Sequence, residues 1–152
     1  MTIANMIGGL CGLNRLPASG ILAAALAIPL VWGLHWLGGF PLVVLATVSA
    51  GVKTLYAVSR MSGPLISDRM VGQMVALWAL SGGLWFAGVA PHLFPYPGWV
   101  GAFVMCQGLL WWCPKPIAWL GQRGPLWDDI AAGSTAALVT LISAGISHGW
   151  FG

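Results

Sequence analysis

The stretch GILAAALAIPLVWGLHWL, Gly20 to Leu37, carries no charged side chain. Wound as an α-helix at 1.5 Å per residue it is ~27 Å long, close to the ~30 Å of a bilayer's hydrocarbon core. Ser19 stands where a helix N-cap belongs, Gly38-Gly39 ends the run, and Pro29 predicts a kink inside it. Four further apolar runs follow. The second starts at Pro41, a good first helical residue, and reaches Ser59, with Lys53 within snorkelling distance of the end marked by Arg60. The others are Val71 to Pro91, Trp99 to Trp112 and Asp129 to Trp150. The fourth is only ~20 Å long, stopped by Pro114 and Pro116. The expected fold is all-α: one membrane domain over residues 1–152, a polytopic helix bundle with about five spans (20–37, 41–59, 71–91, 99–112 and 129–150).

Composition agrees. Of 152 residues, 59% are hydrophobic and 6% charged, and mean hydropathy is +0.87. A soluble domain has about 25% charged residues, so water is a poor solvent for most of this surface. The formal net charge of +3 is small and the Lys and Arg residues do not cluster, which excludes a nucleic-acid partner. No basic residue precedes the first apolar part, so the N-terminal segment reads as mature protein rather than as a secretory signal. Cys11, Cys106 and Cys113 show no metal-ligand spacing and read as small packing residues.

Charge placement predicts orientation. Arg15, Lys53, Arg60, Arg69, Lys115 and Arg123 all fall on one side of a five-span arrangement, and basic residues mark the cytoplasmic side. The N-terminus is expected there and the C-terminus outside. His35, His92 and His148 fall at the opposite face. Trp36, Trp99 and Trp150 read as an outer aromatic belt, and Trp111, Trp112, Trp119 and Trp127 as an inner one. Trp78 and Trp85, seven apart on one helical face, are placed to touch a ring-shaped cofactor, although lipid or core contact is the simpler reading. Small residues four apart in the last run (Ala132 with Ala136, Gly133 with Ala137, Gly145 with Gly149) predict close helix packing or a partner on that face.

The whole chain holds three acidic residues, Asp68, Asp128 and Asp129, all expected at the cytoplasmic rim. Three carboxylates can hold Mg²⁺, which prefers oxygen ligands and shares them with phosphates. An Asp in the first turn of a helix can also cap its free N–H groups, for roughly 0.5–2 kcal/mol. WDDIAAG, Trp127 to Gly133, is favoured as a cap on local sequence alone. His35 is the candidate ligand for a haem or chlorophyll, against the plainer reading of a His near the membrane interface.

CPKPIAWL (Cys113–Leu120), followed by PLWDDIAAG (Pro125–Gly133), resembles the C-terminal signature of phosphatidylglycerophosphatase A. LISDRMVGQMVAL (Leu65–Leu77) resembles that family's central motif of Asp-Glu, two apolar residues and Gly. GLNRLPASGILAAALAIP (Gly12–Pro29) resembles its N-terminal segment. The resemblance implies a small bacterial inner-membrane protein of multiple spans. In an active member it also implies Mg²⁺-dependent removal of the terminal phosphate of phosphatidylglycerol phosphate, with Asp68, Asp128 and Asp129 at the metal.

The chain departs from that pattern where chemistry is expected. Arg69 stands where the family has Glu. Gln107, Leu110 and Cys113 stand at the positions of an Arg, an Asp and a Lys, and Gly121 at that of an Asp. Ala18 and Ile21 replace a Thr and a Ser. Phosphoryl transfer needs cations around the phosphate and anions around the metal. Exchanging Glu for Arg changes the local charge by two, and unit charges 4 Å apart interact by about 4 kcal/mol at an effective dielectric near 20. The expected function is therefore non-catalytic: a structural or accessory subunit of a membrane complex, or a lipid-binding protein, with membrane lipids and other membrane-protein subunits as partners. Arg69 is expected to take the place of a cation and to meet at least one of Asp68, Asp128 and Asp129, with no metal and no cofactor. An active Mg²⁺-dependent phosphatase using those three Asp residues is the alternative, and a cofactor-binding membrane subunit is the third reading.

Overall fold

The computed structural model describes residues 3–61, 65–88 and 96–147. His92, His148, Gly149, Trp150 and the far ends of the third and fifth expected spans lie outside them. Every element among the described residues is helical. α1 covers Ile3–Gly8 and leads into a 3-10 segment, Leu10–Arg15. Then come α2 (Ser19–Val58), α3 (Ser67–Ala76), α4 (Trp78–Phe86), α5 (Tyr96–Trp112), α6 (Lys115–Gly121) and α7 (Trp127–Ser147).

The apolar run that opens the sequence lies in α2, which spans 40 residues. It is not one straight rod. Gly39 has φ 67° and ψ −163°, which breaks the helical path. In a straight helix Leu26 and Lys53 would lie ~40 Å apart, yet both line one cavity. Ala27 and Val31 likewise share a core cluster with Val43, against which Ala46 and Ala50 pack. The limbs 19–38 and 40–58 therefore fold back on each other around Gly39. Glycine is required there twice over: its φ is left-handed, and a Cβ would run into the ring of Trp85. Ser19 does not cap this helix. The cap position is Ala18, in left-handed conformation with no side-chain hydrogen bond, and Ser19 is the first helical residue.

α3 and α4 run end to end. Leu77 separates them, but its N–H donates to the Gln73 carbonyl and its own carbonyl accepts from the Ser81 N–H, so the i to i−4 ladder continues through the break. α3 is the centre of the assembly, packing on α2, α7 and α5. One core gathers Ala27, Val31, Val43, Met74, Leu77, Trp99 and Ala102. A second gathers Ala76, Cys106, Ile117, Ala132 and Ala136. Trp99, expected in an aromatic belt, is fully buried in the first core. A large ring among alanines there fills the gap that small residues leave between helices.

The prolines after α5 start a helix as well as stopping one. Pro114, extended at φ −60° and ψ 155°, is the N-cap of α6, and Pro116 lies in its first turn. That position suits a residue with a fixed φ and no N–H to offer. α6 packs on α7.

Among the described residues two helices are long and apolar enough to cross a membrane: α2, and residues Trp127–Ile146 of α7. Large apolar side chains such as Leu37, Phe86, Trp111 and Ile146 stand on the outside of the bundle.

Candidate functional site

The acidic residues meet where α3 and α7 cross. Gly72 and Gly133 make that crossing close. A Cβ on Gly72 would come 2.5 Å from the Asp129 carbonyl oxygen, and one on Gly133 would strike the Gly72 carbonyl. Backbone against backbone brings the first turn of α3 beside the first turn of α7. Asp68 and Arg69 thus face Asp128 and Asp129.

Arg69 lies among the carboxylates. Its Nη1 is 3.6 Å from Asp129 Oδ1, an ion pair rather than a hydrogen bond. The guanidinium is about a third exposed, whereas the Asp129 carboxyl is almost fully buried. The aliphatic stem of Arg69 rests on Gly20, near the start of α2, where a Cβ would sit 3.4 Å away. The Arg69 backbone N–H donates to Asp68 Oδ1 at 2.8 Å. Burial pushes the Asp68 carboxyl up to about 6, with the Arg69 N–H and guanidinium opposing and Asp128 adding to the shift.

The Oδ1 atoms of the pair do not make the cap favoured on local sequence. Oδ1 of Asp128 and Oδ1 of Asp129 are buried with no hydrogen-bond partner among the described residues. Both lie in the first turn, but Asp129 is drawn toward Arg69 and Asp128 packs against Gly121. Gly121 stands where the resemblance calls for another Asp. The space a side chain would need there is taken by Asp128, whose Cβ would be 3.3 Å from a Cβ at 121. Among the described residues no group of three His, Cys, Asp or Glu side chains is arranged to hold a metal ion.

A cleft of about 690 Å³ opens beside Arg69, walled by Ala18, Gly20, Ile21, Phe103, Val104, Gln107, Gly108, Leu110 and Trp111. Ala18, Ile21, Arg69, Gln107 and Leu110, which the sequence resemblance singled out as substitutions, thus line one cavity. Cys113 is exposed outside it. Gln107 also reaches Gln73, its Nε2 donating to Gln73 Oε1 at 3.3 Å. Gln73 is fully buried, and its Nε2 has no partner among the described residues. The amide pair went unnoticed in sequence, yet the signal was there: a glutamine inside an apolar helix needs a partner on a neighbouring one.

His35 does not face an interface. It is buried, with Nδ1 2.8 Å from Ser81 Oγ, so it ties the first limb of α2 to α4. Trp78 and Trp85 have separate tasks. The Trp78 indole N–H donates to Thr47 Oγ1 at 3.1 Å, and Thr47 in turn donates to the Val43 carbonyl at 2.7 Å. Trp85 covers Gly39.

Comparison with known proteins returns no match, whether to a family model, a curated protein or a solved structure.

Proposed function

We propose that this chain is an inner-membrane protein on a phosphatidylglycerophosphatase A-like scaffold that holds a lipid in the Arg69 cleft without cleaving it. The observation that carries the reading is the convergence in one cavity of Ala18, Ile21, Arg69, Gln107 and Leu110. By the resemblance these positions would carry hydroxyl, carboxylate and guanidinium groups; here four offer methyl, sec-butyl, amide and isobutyl groups, and Arg69 puts a guanidinium where a carboxylate is expected. What is left is a largely apolar groove with one cation in its wall, a lining suited to an amphiphile with an anionic head. Arg69 brings a fixed charge beside Asp129, where a metal-dependent site would need a carboxylate. A role as accessory subunit of a membrane complex is compatible with this reading, the lipid then lying between subunits.

Five passages through the bilayer follow from the same geometry. The reversal at Gly39 makes α2 two limbs of about 20 residues. The unbroken ladder through Leu77 lets α3 and α4 act as one rod, and α5 and α7 complete the set. The outward apolar side chains then face lipid, and the basic residues gather at the cytoplasmic rim.

The test is an assay of purified protein on phosphatidylglycerol phosphate with Mg²⁺. Free phosphate should not rise above the background of an Asp128→Ala variant. Turnover of about 1 s⁻¹ or more, within the ordinary enzyme range and lost in that variant, would favour the phosphatase instead.

A further inference from the structure

A second cavity, of about 610 Å³, lies on the other side of α3. Its walls include Ile3 and Met6 of α1, Leu26 and Ala50 from the two limbs of α2, and Met70 of α3. α1 lies across this end of the bundle, where a Cβ on Gly8 would run into Met61 and Leu65 and the Gly8 carbonyl accepts from the Ile66 N–H. The volume is within the ~300–1,000 Å³ of ordinary small-molecule sites. The lining is almost wholly apolar, with Lys53 as its one charge.

Lys53 is a second cation bordering a cavity, and among the described residues it has no counter-ion. No carboxylate lies within 4 Å of it among the described residues, since Arg69 with Asp129 is the only ion pair there. Asp68, Asp128 and Asp129 are gathered on the far side of α3, leaving no acidic side chain for this one. Arg60 and Arg123, by contrast, are occupied by the rings of Tyr56 and Trp119. A lysine beside an apolar hollow lays its methylenes along the wall and keeps its ammonium at the polar edge. An uncharged chain would satisfy the walls and leave the ammonium unpaired, whereas an anionic amphiphile satisfies both.

We propose that the cavity between α1, α2 and α3 seats one acyl chain of an anionic phospholipid, with the lipid's phosphate on Lys53. This rests on the membrane reading of the helices and is independent of what the Arg69 cleft holds. α1 is then a cover that keeps the chain in place, its Ile3 and Met6 packing on the lipid.

The experiment uses the full chain in nanodiscs of phosphatidylcholine with a minor fraction of phosphatidylserine, read by native mass spectrometry of the lipids it retains. The protein should retain phosphatidylserine in preference. Lys53→Gln should lower that preference by about five-fold, the size expected for one cation near an anionic surface. Leu26→Trp, which fills the cavity from an exposed position, should abolish retention, while Arg60→Gln should leave it intact. An unchanged preference in Lys53→Gln overturns the proposal. So does loss of the preference in Arg69→Gln alone, which would place the anionic lipid in the Arg69 cleft and uphold the function proposed there. Protein that stays in solution without detergent or bilayer overturns both.

Discussion

Arg69 and Asp129 form a pair with unequal surroundings, one partner reaching the surface and the other enclosed. Removing the arginine leaves a buried carboxylate without its cation, which costs about 3–5 kcal/mol where both partners are enclosed. Solvent screens a guanidinium that is a third exposed, so about 2–3 kcal/mol is the expected loss. Arg69→Ala should therefore melt well below the parent in detergent, whereas Arg15→Ala, an exposed residue without an ion-pair partner among the described residues, should melt with it. Equal melting would show that the pair contributes nothing. Asp68 gives a pH dependence of definite sign. Its folded value, about 6, lies above the ordinary 3.8. Its contribution is thus fully present below pH 4 and is lost as pH rises through 6. Asp68→Asn keeps the acceptor for the Arg69 N–H and removes the charge. The variant should gain on the parent by about 2–3 kcal/mol between pH 4 and pH 7, read as the difference between two melting curves. A constant difference across that range would contradict the burial argument. Sequence alone brought Arg69 and the three Asp residues under suspicion through their rarity in an apolar chain. It did not show which carboxylate Arg69 would meet, because that choice is made by the approach of two helices distant in sequence.

That approach belongs to the scale of elements. α3 and α7 touch through Gly72 and Gly133 with no side chain between them. A methyl at 133 must push the helices apart, and overpacking of this kind costs about 1–3 kcal/mol. It also moves the first turn of α7, so Gly133→Ala should weaken the Arg69–Asp129 pair as well as the fold. A double-mutant cycle of Gly133→Ala with Arg69→Ala should then be non-additive, the two losses overlapping. Additive losses would show the crossing and the pair to be independent. Gly83→Ala is the control: nothing lies within 4 Å of its Cβ position, so alanine's helix propensity should make it neutral or stabilising by up to about 1 kcal/mol. Small residues at four-residue spacing in the last run announced a close-packed face, and Ala132, Gly133 and Ala136 are buried. The partner, Gly72, was visible only as the glycine of a motif. Helices were legible from apolar runs bounded by Gly and Pro. α6 was not, because its seven residues start between two prolines that read as a stop. α1 was missed for a related reason: six residues are too short for periodicity to register.

At the scale of the whole molecule the question is which way the bundle faces. Six basic and three acidic residues are all the charge there is, and the fold brings most of it to one end. Lys53 and Arg60 close the second limb of α2, Arg69 opens α3, and Lys115 and Arg123 flank α6, which packs on α7 near Asp128. The turn at Gly39 lies at the other end of the limbs, among Trp85, Phe40 and Phe86, with no charge near it in sequence. On the proposed membrane reading the bundle has one charged rim and one aromatic rim, and the Lys and Arg residues predict that the charged rim stays in the cytoplasm. A reporter inserted in the 121–124 segment should therefore read as cytoplasmic, and one fused after residue 152 as periplasmic. The prediction depends on an odd number of crossings, which in turn depends on Gly39 reversing α2. If α2 crossed as a single rod and α7 were the other span, the two reporters would be exchanged, the 121–124 segment outside and the C-terminus in the cytoplasm, because two crossings return the chain to its starting side. Exchanged reporters, or reporters reading from the same side, would remove the five-span arrangement, and with it the placement of the Arg69 and Lys53 cavities at the cytoplasmic leaflet.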